Sequence, residues 1–150
     1  MKSTRTRSLR GSILPTDGYI KKQLILSDGL INHGLKIRYF TMWTSSGQNE
    51  AGIDAVLSLD VISTAGNIMD ASNSRQIAWV TGGYDNGIQT MSYREIIDPD
   101  HVVNRDLYLS AQATDGELWN YLIICDAYEL SDDEAIVQII KETQQSVGSD

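Results

Sequence analysis

Alternation of apolar and polar side chains is the dominant pattern along this chain, and it is typical of β-strands. The alternating segments are rich in β-branched and aromatic residues, which favour extended structure. Seven strands are predicted in this way, over residues 19–26, 35–44, 55–64, 75–81, 88–96, 106–111 and 118–128.

The segment 35–44 carries large apolar groups on both of its predicted faces. Strict alternation places the odd-numbered residues from Leu35 to Trp43 on one face and the even-numbered residues from Lys36 to Thr44 on the other. A strand with this pattern is covered on both sides, or it uses one side as an interface.

Short turn sequences separate the predicted strands. The dipeptides Asn86-Gly87 and Asp115-Gly116 favour two-residue hairpins, since a type I′ turn needs a positive φ at both central positions. They predict that segment 75–81 pairs with 88–96 and that 106–111 pairs with 118–128. Asp28-Gly29 and His33-Gly34 predict a tight connection between the first two strands.

One segment near the end of the chain has helical periodicity. Ser131 and Glu134 form a capping-box sequence, and Asp132 and Asp133 fall in the first turn, where the helix dipole favours negative charge. Apolar residues then recur at helical spacing, and they are Ile136, Val137, Ile139 and Ile140. The pattern predicts a helix over residues 131–146.

These elements together predict a mainly β fold of about seven to eight antiparallel strands. A β-sandwich or jelly roll with a C-terminal helix on its flank fits this order of elements. With 150 residues, the chain is expected to form one such domain over residues 13–150.

The charges divide the chain unevenly. The first ten residues contain the four bases Lys2, Arg5, Arg7 and Arg10 and no acid, whereas the chain as a whole has 12 bases and 20 acids. Ser and Thr alternate with Arg in this segment, which predicts a disordered basic arm over residues 1–12. The four bases are the predicted nucleic-acid contacts.

Catalytic and cofactor motifs are absent from the sequence, and we expect no enzyme, cofactor or metal site. No apolar run approaches the length of a membrane helix, so no membrane contact is expected. Cys125 lies in an apolar segment and is expected to be a buried hydrophobe. The cluster Asp98, Asp100 and His101 is interpreted as a turn, with a hydrolase or metal site as the alternative.

Aromatic residues suggest two kinds of surface. Phe40, Met42, Trp43 and Trp79 are predicted to contact other subunits. The alternative is a carbohydrate- or ligand-binding module, in which Trp and Tyr side chains stack on the ligand and loops 45–54 and 66–74 form the site.

The stretch 97–109 (IDPDHVVNRDLYL), the segment 120–123 (NYLI) and the capped acidic helix resemble proteins of aquatic viruses. With its basic arm and β-rich body, the chain is similar to the small β-sandwich or jelly-roll virion proteins of viruses and bacteriophages. The resemblance implies self-assembly into an icosahedral shell around the genome, with no catalytic residues.

Four cations on one copy would bind nucleic acid weakly and non-specifically, so the arm is useful only when many copies are held together. The sequence therefore predicts a virion-located capsid subunit that associates with itself and faces nucleic acid through its arm. A minor or decorating virion protein, in contact with other virion proteins, is the related alternative.

Overall fold

Eight β-strands make up most of the residues that the structure describes. The structure is a computed structural model that describes residues 2–15, 19–24, 33–45, 52–62, 68–85, 88–104, 106–113, 118–137 and 140. In chain order the strands are β1 (Lys2–Ile13), β2 (Tyr19–Leu24), β3 (His33–Thr44), β4 (Ile53–Ser58), β5 (Gln76–Asp85), β6 (Ile88–Ile97), β7 (Leu107–Ala113) and β8 (Trp119–Glu129). The mainly β character is confirmed, and each of the seven predicted segments overlaps a strand, although the strand predicted over 55–64 ends at Ser58.

The strands form two antiparallel sheets. Sheet A has the order β1-β8-β3, and sheet B has the order β2-β7-β4-β5-β6. Buried residues of both sheets belong to one hydrophobic cluster, to which sheet A contributes Phe40, Trp119 and Ile123 and sheet B contributes Leu57 and Leu109. The core of the protein therefore lies between the two sheets.

Residues Lys2–Ile13 form an integral strand, so the prediction of a disordered arm over 1–12 is wrong. β1 pairs with β8 along its whole length, from Lys2 opposite Glu129 to Ile13 opposite Trp119. Backbone hydrogen bonds to β8 offset the cost of ordering a segment with little apolar surface. β1 is an edge strand of sheet A, and its arginines are favourable there because charged side chains deter other chains from pairing with an edge strand.

Strand pairing in the two sheets includes three pairs whose numbers add up to nine, which are β1 with β8, β2 with β7 and β4 with β5. The other pairs are β3 with β8, β4 with β7 and β5 with β6. β3 and β6 also meet, where the Thr41 hydroxyl donates a hydrogen bond to the Glu95 carboxylate. The three pairs that add up to nine join the first half of the chain to the second half in antiparallel order.

Some strands that are neighbours in sequence pair with each other, and others lie in different sheets. β5 and β6 pair as predicted, with Trp79 opposite Ile96, although the turn residues 86–87 lie outside the described residues. The predicted hairpin around residues 115–116 is wrong, because β7 belongs to sheet B and β8 to sheet A. The predicted tight connection between β2 and β3 likewise joins strands of different sheets, and its residues 25–32 are not described.

A β-bulge in β3 changes which residues face the core. Ile37 lies opposite Cys125 and Tyr39 opposite Ile124, so Arg38 is an extra residue in the strand. Leu35 and Ile37 are buried before the bulge, whereas Phe40, Met42 and Thr44 are buried after it. The strict alternation predicted for this segment is therefore wrong beyond Ile37.

The C-terminal helix begins as predicted. In α1 (residues 132–137 and 140), the Glu134 N–H donates to Ser131 Oγ (3.1 Å) and the Ser131 N–H donates to Glu134 Oε1 (3.2 Å). These two bonds confirm the capping box. The predicted end near residue 146 lies outside the described residues. Within the part of the chain that is described, no helix is long and apolar enough to cross a membrane.

Candidate functional site

The outer face of sheet A, which points away from the core, is the best candidate for a functional surface. Antiparallel register places one residue from each strand in a row across this face. From one end of the sheet to the other, the rows are Ser12-Asn120-Trp43, Arg10-Leu122-Thr41, Ser8-Ile124-Tyr39 and Thr6-Asp126-Lys36. We call this surface the sheet A face.

A shallow pocket of about 450 Å³ lies at the Trp43 end of the sheet A face. Its lining includes Arg10 and Ser12 of β1, Asn120 and Leu122 of β8, and Trp43 of β3. Arg10 and Trp43 are exposed on opposite sides of the central strand. The pocket therefore has a cationic wall, an aromatic wall and a floor with one amide and one aliphatic side chain.

β1 distributes its cations over two faces. Arg10 lies on the sheet A face, opposite Leu122, whereas Arg7 lies opposite the buried Cys125 and therefore points to the other side. Arg5 follows Arg7 on that side, because alternate residues of a strand share a face. The predicted set of nucleic-acid contacts is thus divided, and the side chain of Lys2 is outside the described residues.

Sheet A as a whole differs in charge from the rest of the protein. Its three strands contain six of the 12 bases and two of the 20 acids. The formal charge is therefore +4 on sheet A and −12 on the remaining residues. The sequence suggested a basic arm attached to an acidic body, and the structure places most of that basic charge on one sheet.

The far end of the sheet A face is a network of polar contacts that joins all three strands. Asp126 of β8 accepts a hydrogen bond from Thr6 Oγ1 at 2.9 Å, and its Oδ1 lies 3.8 Å from Nη1 of Arg38. Nζ of Lys36 lies 5.6 Å from the centre of the Tyr128 ring, a cation–π distance. These groups are therefore engaged with each other.

The four predicted interface residues have different environments. Phe40 and Met42 are buried in the protein's own core, so their assignment to a subunit interface is wrong. Trp79 is half-buried, and its Nε1–H donates to Oε1 of Gln76 at 2.9 Å. Trp43 is 46% exposed and remains available to a ligand or partner. The bulge at Arg38 explains the error, because it turns Phe40 and Met42 inward.

Gln76 gives Trp79 a structural role. Nε2 of Gln76 donates to the Ile68 carbonyl (2.7 Å), and Oε1 of Gln76 accepts from the Asp70 N–H (2.8 Å) as well as from Nε1–H of Trp79. The Asp70 carboxylate in turn accepts hydrogen bonds from the Ser72 hydroxyl and N–H, which hold the pKa of Asp70 below its ordinary value. These bonds fix the described part of the loop before β5.

The cluster Asp98, Asp100 and His101 forms a turn. The Asp100 N–H donates to Asp98 Oδ1 at 3.0 Å, which is an Asx turn, and the Asp98 N–H donates to the Ile77 carbonyl. His101 is buried, whereas Asp100 is exposed. Among the described residues, no three His, Cys, Asp or Glu side chains come together in a group that could hold a metal ion.

Cys125 is buried in the core, facing the interior from the middle of β8. Burial raises the pKa of its thiol to about 11, while the positive charge of Arg7 acts in the opposite direction and the negative charge of Asp126 adds to the rise. A thiol with this pKa stays protonated at neutral pH and is a poor nucleophile.

Sequence reasoning missed most of the sheet A face. The sequence pattern indicates Arg10 and Trp43, but as members of different groups, and it assigns Ser12, Asn120 and Leu122 to no site. In β8, residues 120 and 122 alternate with the buried Trp119 and Tyr121 and therefore lie on the opposite face. The missing information was that β1 is the neighbour of β8, which no local pattern provides.

Comparison of the chain with protein-family models, with curated proteins and with solved structures found no match.

Proposed function

We propose that this protein is a structural subunit of a virion, built as a jelly-roll β-sandwich and assembled from many copies. The fold part of the proposal is supported by the strand pairs that add up to nine, since a long hairpin wrapped into two sheets is the topology of a jelly roll. Viral capsid domains are among the proteins that use this architecture.

The observation that carries self-assembly is an exposed apolar stripe on α1. Ile136, Val137 and Ile140 lie on one side of the helix and are 52%, 55% and 49% exposed. Ala135, by contrast, is buried against Val102 and Leu130 of the same chain. Three large aliphatic side chains at helical spacing form a surface that a second helix or sheet can cover.

A second copy of the chain is the occupant that we propose for this stripe. Each aliphatic side chain gains about 1.5–3 kcal/mol on full burial, so half-exposed residues still have a substantial part of that energy to gain. Contacts of this size are weak singly and become stable when symmetry repeats them in a closed shell.

Charge separation gives the shell an orientation. Sheet A has an excess of four positive charges, and its edge strand β1, with Arg5, Arg7 and Arg10, would face the genome, while the acidic remainder would face the outside. The bases of β1 would then contact phosphates from a fixed strand. Because few phosphates are neutralised by each copy, binding would be weak, non-specific and sensitive to salt.

The test of assembly uses the double variant Ile136→Asp with Ile140→Asp. Its matched control is Val61→Asp with Ile96→Asp, which puts the same two charges on exposed aliphatic residues (48% and 49% exposed) outside the helix. Light scattering after size exclusion and electron microscopy should show large particles for the natural chain and the control. The helix variant should remain small while keeping its β-rich circular dichroism.

Two results would contradict the proposal. If the natural chain stays monomeric at high concentration, with and without single-stranded nucleic acid, the shell role fails. If it stays small but binds to preformed virion particles, a minor or decorating role replaces that of a shell subunit.

Nucleic-acid contact is tested separately in assembled particles. The variant Arg5→Gln with Arg7→Gln removes two charges from β1, and Arg94→Gln on the exposed surface of β6 is the control. We expect a lower ratio of absorbance at 260 to 280 nm for the β1 variant only. An unchanged ratio would mean that these arginines do not contact the genome.

A further inference from the structure

The pocket at the Trp43 end of the sheet A face has the composition of a carbohydrate site. One wall is the exposed indole of Trp43, and the other is the guanidinium of Arg10. Ser12 and Asn120, which share a row with Trp43, add a hydroxyl and an amide that can hydrogen-bond to sugar hydroxyls. A volume of about 450 Å³ is within the range of small-ligand sites.

The dimensions of the face suit a ligand of one or two sugar rings. Arg10 and Trp43 belong to β1 and β3, which flank β8, so their backbones are about 10 Å apart across the sheet. Both side chains are long enough to leave space between them for one ring above Asn120 and Leu122. The apolar C–H face of a pyranose can then stack on the indole.

Charge selects the kind of sugar. Arg10 is the charged member of the pocket lining, and among the described residues it has no ion-pair partner. A guanidinium binds a carboxylate with two parallel hydrogen bonds, which is stronger and more directional than a bond to a neutral hydroxyl. A sugar that carries a carboxylate is therefore expected to bind Arg10 more strongly than a neutral sugar does.

Two acidic groups near the sheet A face, among the residues that the structure describes, lie beyond the pocket. Asp126 is two rows away from Arg10 and is engaged by Thr6 and Arg38. Glu95 accepts the hydrogen bond of Thr41, on the β3 side of the face and therefore away from Arg10. A carboxylate bound at the β1 side would meet neither group directly.

We propose that this pocket binds an acidic saccharide, with a pyranose ring stacked on Trp43 and its carboxylate held by Arg10. Ser12 and Asn120 hydrogen-bond to ring hydroxyls. The site does not depend on assembly, because all of its residues belong to one subunit. A long nucleic acid fits this pocket less well, since the next cation along the face, Arg38, is already paired with Asp126 and the chain has a net charge of −8.

The test is a titration of the full chain with trigalacturonate, followed by calorimetry and by the fluorescence of the indole. Matched ligands are galactotriose, which lacks the carboxylates, and an oligothymidylate of similar charge. We expect a Kd in the range of about 1 mM for the acidic trisaccharide. The neutral sugar should bind about tenfold more weakly or more, the loss expected for a charge-assisted hydrogen bond.

Variants assign the binding to the pocket. Trp43→Ala and Arg10→Gln should each weaken trigalacturonate binding by about tenfold or more. Tyr39→Ala, which removes the other exposed aromatic of the same face, and Arg94→Gln on β6 are the controls and should change the Kd less than twofold. The double helix variant Ile136→Asp with Ile140→Asp should bind as the natural chain does, which separates this site from the assembly proposal.

Several results would overturn the proposal. Equal affinity for the neutral and acidic sugars would remove the role of Arg10, and no heat or fluorescence change at about 20 mM ligand would remove the site. Tighter binding of the oligothymidylate, lost in Arg10→Gln, would make the face a nucleic-acid surface instead. Self-association that disappears in Trp43→Ala, without sugar binding, would make it a subunit interface.

Discussion

Gly11 of β1 lies against the ring of Tyr121, so closely that a Cβ atom on Gly11 would be 2.7 Å from Tyr121 Oη and 3.0 Å from Cζ. Tyr121 is buried, and Nζ of Lys22 in β2 lies 5.4 Å from the centre of its ring. Tyr121 of β8 therefore contacts both β1 of sheet A and β2 of sheet B, near the residues of β1 that line the pocket.

The first prediction concerns this contact. Gly11→Ala should lower the free energy of unfolding by about 1–3 kcal/mol, because the added methyl group forces the ring or the strand to move. Chemical denaturation measures the change. Tyr121→Phe removes the nearest atom, so the double variant should lose less than the sum of the single effects. Ser12→Ala, on the exposed side of the strand, is the control and should stay within about 0.5 kcal/mol.

The second prediction distinguishes a strand from an arm. Removal of residues 1–12 should lower the melting temperature strongly or prevent folding, because β8 loses a partner along nearly its whole length. Circular dichroism during heating measures the effect. The triple variant Arg5→Gln, Arg7→Gln and Arg10→Gln removes charge and keeps the strand, so it should melt within a few degrees of the natural chain. A truncated protein that melts normally would show that β1 is dispensable.

The third prediction follows from the buried thiol. The pKa of Cys125 is raised from its ordinary 9.0 to about 11, so the folded state keeps a proton that the unfolded state loses. The contribution to stability is complete below pH 9 and falls as the pH rises from 9 to 11, by at most about 1.4 kcal/mol per pH unit.

Urea unfolding at pH 8, 9 and 10 tests this dependence. Cys125→Ala serves as the reference, because it retains every other titrating group and should show a smaller decrease over the same interval. A thiol reagent at pH 8 should modify the natural chain rapidly only in denaturant. Rapid modification of the folded protein would mean that Cys125 is accessible and the assigned burial is wrong.

The fourth prediction concerns the start of α1. Ser131→Ala removes the acceptor of the Glu134 N–H and should reduce stability by about 1 kcal/mol, the usual value of an N-cap. Hydrogen exchange at residues 134–137 should accelerate, and the amide signals of β8 should change less. Ser131→Thr keeps the hydroxyl and is the control. Equal exchange in all three proteins would show that the capping box does not stabilise the helix.

Much of the candidate site could not be predicted because its parts come from three strands that are far apart in sequence. The exposure of Trp43 depends on a single extra residue, Arg38, which shifts the inward positions of β3 from Ile37 to Phe40. A bulge of this kind leaves no local signature in an alternating sequence. Arg10 became part of a pocket because β1 pairs with β8 and is thereby held two strands away from Trp43.

Local chemistry in the sequence was sufficient to determine the approximate positions of seven strands, the pairing of β5 with β6, the burial of Cys125 and the capping box at Ser131. Each of these depends on side chains within a few residues of each other. Tertiary structure decided that Lys2–Ile13 is a strand, that β7 and β8 belong to different sheets, and that Phe40 and Met42 point inward. The physical reason is that a weakly apolar segment gains its order from a partner at the other end of the chain, and only the folded protein brings the two together.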